Sequence, residues 1–196
     1  YEVKAALREV STMSAATVVS APSRDKLDVG AKFEAGEGLE AYEIVEKLGE
    51  GGCGTVYKVK HPRSQQFQAM KVMKPDLVDN LTALERFQHE SEALRAVSHP
   101  NIVKVLEVGS SGGLVYFVMD YVDGTDVRRL IAKGGRLPWD HALRIAIDIA
   151  RALEAAHAAG IVHRDLTPSN VLLDRTDRVI LTDFGLALLP GRSRLT

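Results

Sequence analysis

The chain has 196 residues, of which 45% are hydrophobic and 26% charged, with a formal net charge of −1. This is the balance of a globular domain, with no bulk charge to draw it to nucleic acid or a membrane surface. No apolar run approaches the ~20 residues needed to span a bilayer, and the longest apolar-rich stretch, 142–153, is interrupted by Arg144, Asp148 and Arg151. Cys53 is the only cysteine, which excludes an internal disulfide or a cysteine-based metal site and points to a reducing, cytoplasmic compartment, either free or as the cytoplasmic part of a membrane-anchored parent. The chain starts at Tyr1 without a secretory signal pattern and reads as an excerpt cut at both ends.

Residues 1–41 have no sustained period. They are small, polar and glycine-containing, and are expected to form a flexible linker or the tail of an upstream domain. From Tyr42 the pattern sharpens. Tyr42, Ile44, Val45 and Leu48 predict a strand, Thr55 to Lys60 a second and Phe67 to Met73 a third. Thr82 and Glu85 have capping-box spacing at the start of a helix, on which Leu84, Phe87, Ser91, Leu94 and Val97 share one face. That helix ends before His99-Pro100, because proline disfavours helix at the residue preceding it. Ile102 to Val108 and Leu114 to Asp120 predict two more strands around the turn 110–113. A short helix over Asp126 to Ala132 follows. A long one runs from Trp139 or Asp140 to Ala158, with Leu143, Ile145, Ala146, Ile149, Leu153 and Ala156 on its apolar side and Gly160 as terminator. Val171 to Leu173 and Val179 to Thr182 predict short strands around the turn at Asp174 to Asp177.

Four segments carry chemistry, in a fixed order. Gly49, Gly51, Gly52 and Gly54 form a G-x-G-x-x-G run that joins two strands. A dinucleotide fold would lead from strand to helix, so this loop reads as a cover whose backbone amides approach phosphate oxygens. Lys71, on the third strand, has the charge to hold phosphates and needs a carboxylate to steady it. Glu90 on the predicted helix is the candidate, since Glu92 lies about 200° around the axis and both cannot face one cleft. The run 163–170 (His-Arg-Asp-Leu-Thr-Pro-Ser-Asn) is the most specific. Asp165 is placed to accept a hydroxyl proton, and Asn170 to hold a metal ion and brace the loop. In Asp183-Phe184-Gly185, Asp183 is a hard oxygen ligand of the kind Mg²⁺ prefers, Phe184 packs inward, and Gly185 permits a turn.

With these motifs in this order, residues 42–196 resemble a eukaryotic-type (Hanks-type) Ser/Thr protein kinase, nearest in character to bacterial ones. The resemblance implies an α+β, protein-kinase-like fold. A five-stranded antiparallel N-lobe with one regulatory helix, together with the hinge, would span 42–122, and the first part of a mainly helical C-lobe, ending in the activation segment, would span 123–196. It implies ATP and Mg²⁺ as cofactors and phosphoryl transfer to Ser/Thr hydroxyls of a protein substrate, with the fragment inactive alone. Neither nucleic acid nor a membrane segment within the chain is expected, and dimerisation of kinase domains is left open. Carried over residue by residue, Leu48, Val56, Ala69 and Leu172 would sandwich the adenine. Met119 would be the gatekeeper, Asp120 to Val122 the hinge, and Asp126 would lie near the ribose. Leu94, Val105, His163 and Phe184 would form a regulatory hydrophobic stack. Arg164 would pair with a phosphorylated residue of the activation segment, for which Ser193 and Thr196 are candidates.

Two departures stand out. Thr167 occupies the position where Ser/Thr kinases usually carry a lysine that meets the γ-phosphate. Either a nearby basic residue compensates or turnover is slower. Cys53, at the tip of the glycine loop, reads as a tolerated small residue or as an oxidisable switch. The alternative reading is a nucleotide-binding pseudokinase or scaffold. Intact Lys71, Glu90, Asp165, Asn170 and Asp183 weigh against it, while Thr167 and the early end of the chain weigh for it. A small-molecule kinase of the aminoglycoside type usually lacks the pairing of the His163 and Asp183 motifs found here.

Overall fold

In the computed structural model, residues 27–34, 41–51, 54–74 and 91–184 are described. Six strands form one antiparallel sheet: β1 (Lys32–Phe33), β2 (Tyr42–Glu50), β3 (Gly54–Lys60), β4 (Phe67–Met73), β5 (Val105–Ser111) and β6 (Leu114–Asp120). Their order is β1-β2-β3-β4-β6-β5. Strands β4 and β6 are buried along most of their length, because both faces of the sheet are covered. On β4, Met70 and Val72 point to the outer face and are buried with Ile44, Tyr57, Val59 and Val118, while Ala69 packs with Met119 against the other lobe. Lys71, next to Met70, therefore faces the interlobe side.

The sheet has one strand more than the five expected. β1 comes from the stretch expected to be linker. It pairs with β2 through Lys32↔Glu43 and Phe33↔Tyr42, and Leu27 and Phe33 are buried in the outer-face cluster. The Leu27 amide donates to the Tyr57 hydroxyl at 3.0 Å. A two-residue strand has no period to read, so only its burial reveals it. Beneath it, the hydroxyls of Tyr42 and Tyr116 both donate to the Glu107 carboxylate, at 3.0 and 2.7 Å. Burial and this carboxylate push both phenols well above their ordinary pKa.

Residues 91–96 are helical and 97–99 are not, as His99-Pro100 predicts. Thr82, Glu85, Leu84 and Phe87 lie outside the described residues. The strand expected from Ile102 begins instead at Val105. Asn101 to Val103 bond to the other lobe: the Leu181 amide donates to Asn101 O at 2.8 Å and the Val103 amide to Leu181 O at 2.9 Å. The Asn101 side-chain amide donates to Val179 O at 2.7 Å.

The second lobe begins with β7 (Gly124–Asp126) and helix α1 (Val127–Gly134), then α2 (Trp139–Ala158), a 3₁₀ turn (Pro168–Asn170), β8 (Val171–Asp174) and β9 (Val179–Leu181). Strands β7-β8-β9 form a second antiparallel sheet. Asp126 caps α1, its Oδ1 accepting the Arg129 amide at 2.8 Å. Gly160, at φ +75°, ends the turn after α2. On α2 the buried stripe is Ile145, Ala152 and Ala156, with Ile149 and Leu153 partly buried. Leu143 and Ala146, expected on that side, are exposed. At 100° per residue Leu143 lies about 200° from Ile145, on the opposite face. The core between the lobes gathers Leu94, Val105, Val127, Ile145, Leu173, Leu181 and Phe184, and each such side chain fully buried contributes about 1.5–3 kcal/mol.

Two features of this lobe are testable. At Gly124 in β7, an added Cβ would lie 1.8 Å from the Leu173 carbonyl oxygen, a backbone atom that cannot yield without opening the β7–β8 pair. Gly124→Ala is expected to lower stability by at least about 2 kcal/mol, read as a fall in the thermal unfolding midpoint. Asp174 organises the β8–β9 turn. Its Oδ1 accepts the Thr176 amide at 2.8 Å and the Thr176 hydroxyl at 2.7 Å, and its Oδ2 accepts Arg178 Nε at 3.0 Å. These donors, the Thr176 hydroxyl foremost, hold its carboxyl down at about 2. Because the folded value lies below the unfolded one, this contribution is complete above pH ~4 and is lost as pH falls through about 2. Asp174→Asn is expected to lower stability at pH 7 and to flatten the loss of stability between pH 4 and 2, as measured by denaturant titrations across that range.

Candidate functional site

The cleft is roofed by the β2–β3 hairpin, walled by β4 and β6, and floored by the second sheet. The hairpin closes through the Gly51 amide donating to Gly54 O at 2.9 Å, and β2 is irregular between Ile44 and Glu46 and between Lys47 and Gly49. At Gly54 an added Cβ would lie 2.2 Å from Val72 O, so strand crowding against β4 alone requires glycine there. At Gly49 and Gly51 the space is open. Gly52 and Cys53 lie outside the described residues.

A cavity of about 350 Å³ sits under this roof. It is lined by ten of the residues predicted from the sequence: Leu48, Gly49, Val56, Ala69, Met119, Asp120, Val122, Asp126, Leu172 and Asp183. Leu48, Val56, Val122 and Leu172 pack against the cluster that contains Ala69 and Met119, giving an apolar slot. Its polar end holds Asp126, Ser169, Thr182 and Asp183. Sequence reading missed Val103, Thr125, Arg129 and Ser169 on its walls, while Tyr121 falls within the expected hinge 120–122. A signal existed for two of them: Arg129 follows the cap Asp126 by three residues, and Ser169 lies inside the 163–170 motif. A larger cavity of about 570 Å³ lies behind the hinge, sharing Val103 and Asp120 to Val122 but containing none of the catalytic-motif residues. The smaller cavity is the candidate site because residues of all four motifs line it, Gly49, Ala69, Ser169 and Asp183 among them.

Lys71 is 6% exposed, and its Nζ pairs with Asp183 Oδ1 at 2.7 Å. A buried ammonium without such a partner would be strongly unfavourable. Glu90, the expected partner, lies outside the described residues, as do Gly185, Ser193 and Thr196.

The catalytic-loop residues are knit by hydrogen bonds. Asn170 Nδ2 donates to the Asp165 carbonyl at 2.8 Å and approaches Asp165 Oδ2 at 3.4 Å. The Asn170 amide donates to Thr167 O at 2.9 Å, and the Thr182 amide to Asn170 O at 3.0 Å. This last bond holds the 163–170 loop against the segment that carries Asp183. His163, 2% exposed, places Nε2 3.0 Å from Thr182 O and its ring centroid 4.5 Å from that of Phe184. Burial lowers its pKa, so the imidazole is held neutral and Nε2 is the donor to the carbonyl. Phe184, Leu94 and Val105 are buried in one cluster, so the four side chains of the expected stack lie together. Arg164 (φ 61°) and Asp183 (φ 60°) have left-handed backbone, which is uncommon for an arginine. Strain of this kind persists only where the surroundings over-determine it.

Together these parts can hold a polyanion beneath the hairpin and present a carboxylate at the polar end. Asp183 and the Asn170 amide oxygen are hard donors, and the nitrogen of Asn170 is already committed to Asp165, so the donor chemistry fits a small divalent cation. Among the described residues no group of three or more His, Cys, Asp or Glu forms a closed metal cage, and no helix is long and apolar enough to cross a membrane.

Comparison with known proteins agrees with this geometry. Residues 42–194 match the family model for the protein kinase domain. A probable serine/threonine-protein kinase of Clostridium perfringens is 40% identical over 146 residues, covering 74% of this chain and 21% of that protein. Serine/threonine-protein kinase PknK of Mycobacterium tuberculosis is 43% identical over 157 residues, covering 78% of this chain and 14% of that protein. In structure, the PknI kinase domain of M. tuberculosis superimposes with a TM-score of 0.73 at 36% identity, covering 85% of this chain and 64% of that one. The chain thus spans about a fifth or less of these two curated relatives and about two thirds of the solved kinase domain.

Proposed function

This chain belongs to the protein kinase family, and we propose that its site transfers the γ-phosphoryl group of ATP to serine or threonine hydroxyls of a protein substrate within the intact protein, in a cytoplasmic compartment. The observation that carries this reading is the pairing of Lys71 with Asp183, which lines the polar end of an apolar slot, beside an Asn170–Asp165 contact that the Thr182 amide ties to the same segment. Phosphoryl transfer asks mainly for positioning and charge stabilisation. The slot takes the purine between Leu48, Val56, Ala69 and Leu172, with Asp120 to Val122 offering backbone groups at its edge. The glycine hairpin of Gly49, Gly51 and Gly54 covers the phosphates, and Lys71 binds them. On nucleotide entry Lys71 exchanges its carboxylate partner for phosphate oxygens, which frees Asp183. Asp183 and Asn170 would hold Mg²⁺, which when bound neutralises phosphate charge.

Asp165 faces the acceptor. The hydroxyl oxygen forms a bond to the γ-phosphorus as the bond from that phosphorus to the β-bridging oxygen breaks. ADP leaves, and the hydroxyl proton passes to the Asp165 carboxylate. The hydrogen bonds from Asn170 orient Asp165 for this. Thr167 offers a hydroxyl donor near the transferred group but no cation.

In the intact protein, Asp165→Asn is expected to lower kcat by about 10²–10⁴-fold with nucleotide affinity within about twofold of the parent, measured by steady-state transfer from labelled ATP and by nucleotide titration. Wild-type turnover in that variant would refute the assignment and favour the scaffold reading. Thr167→Lys, which restores a cation, is expected to preserve or raise kcat in the same assay. A loss would show a site tuned around threonine.

A further inference from the structure

Lys58 stands on the face of the first sheet that looks toward the cleft, yet it is not among the residues lining the nucleotide cavity. On β3 it lies opposite Ala69 of β4, which lies opposite Met119 of β6, and residues paired in this way share a face. Side chains alternate along a strand, so Phe67, Ala69 and Lys71 of β4 point to that same face. Lys71 holds one end of this row. At the other end the Lys58 ammonium lies over two aromatic rings, 4.3 Å from the centroid of Phe67 and 4.3 Å from that of Tyr121. Among the described residues no carboxylate pairs with it.

The contact sits where the hinge leaves the sheet. Strand β6 ends at Asp120, whose partner on β4 is Gln68, and Tyr121 follows directly. Lys58 therefore ties the side chain of the first hinge residue beyond the ladder back to β3 and β4. Tyr121 lines both the nucleotide cavity and the cavity behind the hinge, and Phe67 lines the second, so the clamped rings stand in the wall between them. A cation is drawn to the negative face of a ring, more strongly where water is partly excluded. Lys58 and Tyr121 are half-buried and Phe67 is exposed. A neutral side chain of the same length would keep the packing and lose this attraction.

We infer that Lys58 is a positioning residue for the nucleotide: clamped on Phe67 and Tyr121, its ammonium fixes the hinge at the edge of the purine slot and so sets the affinity for the base. The inference rests on the kinase reading above and adds a residue outside the four motifs. Lys58 acts through Tyr121 and touches neither nucleotide nor acceptor. Its influence is confined to the base end of the slot, far along the row from Lys71. Once nucleotide is bound, the charge stabilisation at Lys71 and the proton transfer at Asp165 proceed as before.

The test uses the intact protein and a library of serine and threonine peptides, with Asp165-dependent transfer from labelled ATP scored first. Lys58→Met keeps the length and removes the charge. It is expected to raise ATP KM about fivefold, with kcat and peptide KM within about twofold of wild type. Adenosine carries the base without the phosphates, and its inhibition constant against ATP should rise by the same factor. Lys58→Arg keeps a cation that stacks on aromatic faces and should return both values to within about twofold of wild type. Tyr121→Leu should also raise ATP KM, and the double variant should fall short of the product of the two single effects, because both remove one contact. An unchanged ATP KM in Lys58→Met, a fall in kcat in its place, an unchanged adenosine constant, an arginine variant that behaves like methionine, or single effects that multiply in full would each overturn the inference while leaving the kinase reading intact. Absence of Asp165-dependent transfer to every peptide would overturn both.

Discussion

Lys71 and Asp183 are 112 residues apart in the chain and 2.7 Å apart in space, and most of the site depends on that contact. Lys71 is held on β4 by the first sheet, and Asp183 follows β9 of the second. An ammonium that is almost fully buried needs a compensating charge, so the pair draws the two lobes together across the cleft. Both partners are also the groups a magnesium–nucleotide complex would claim, one for phosphate and the other for the cation.

The catalytic loop is held by a second network independent of that pair. Asn170 bonds to Asp165 and Thr167, and Thr182 bonds to Asn170 and His163. These contacts tie the backbone of Asp165 to the segment that carries Asp183, where Arg164 and Asp183 have left-handed backbone. His163 contributes as a neutral donor packed on Phe184, linking the loop to the core between the lobes. At the outer edge of this network Arg129 is placed by Asp126, which makes the α1 cap part of the cleft wall.

Much of this was legible in the residues. Short apolar-rich runs bounded by turn residues located β3, β4 and β6, and β6 is buried along six of its seven residues. The terminator Gly160 marked the end of α2 through its local backbone freedom. The four chemical motifs pointed to the candidate site because their spacing is a local property of the chain. Other features had no local signature. β1 is two residues long and exists only because Leu27 and Phe33 find a cover role on the outer face. Residues 101–103 look like the start of β5 but bond to β9, a choice made by a partner some 80 residues away.

The sequence by itself determined which groups are candidates for the chemistry: a lysine, two aspartates and an asparagine in ordered motifs, with a glycine hairpin before them. Their types, order and local setting follow from nearest-neighbour physics. Only the tertiary structure decided which of them meet. It paired Lys71 with Asp183, gathered Leu94, Val105, His163 and Phe184 into one stack, exposed Leu143 while burying Ile145, and turned Arg129 onto the cleft wall. Those outcomes depend on burial and on charge compensation between segments distant in the chain, and no window of sequence contains both partners.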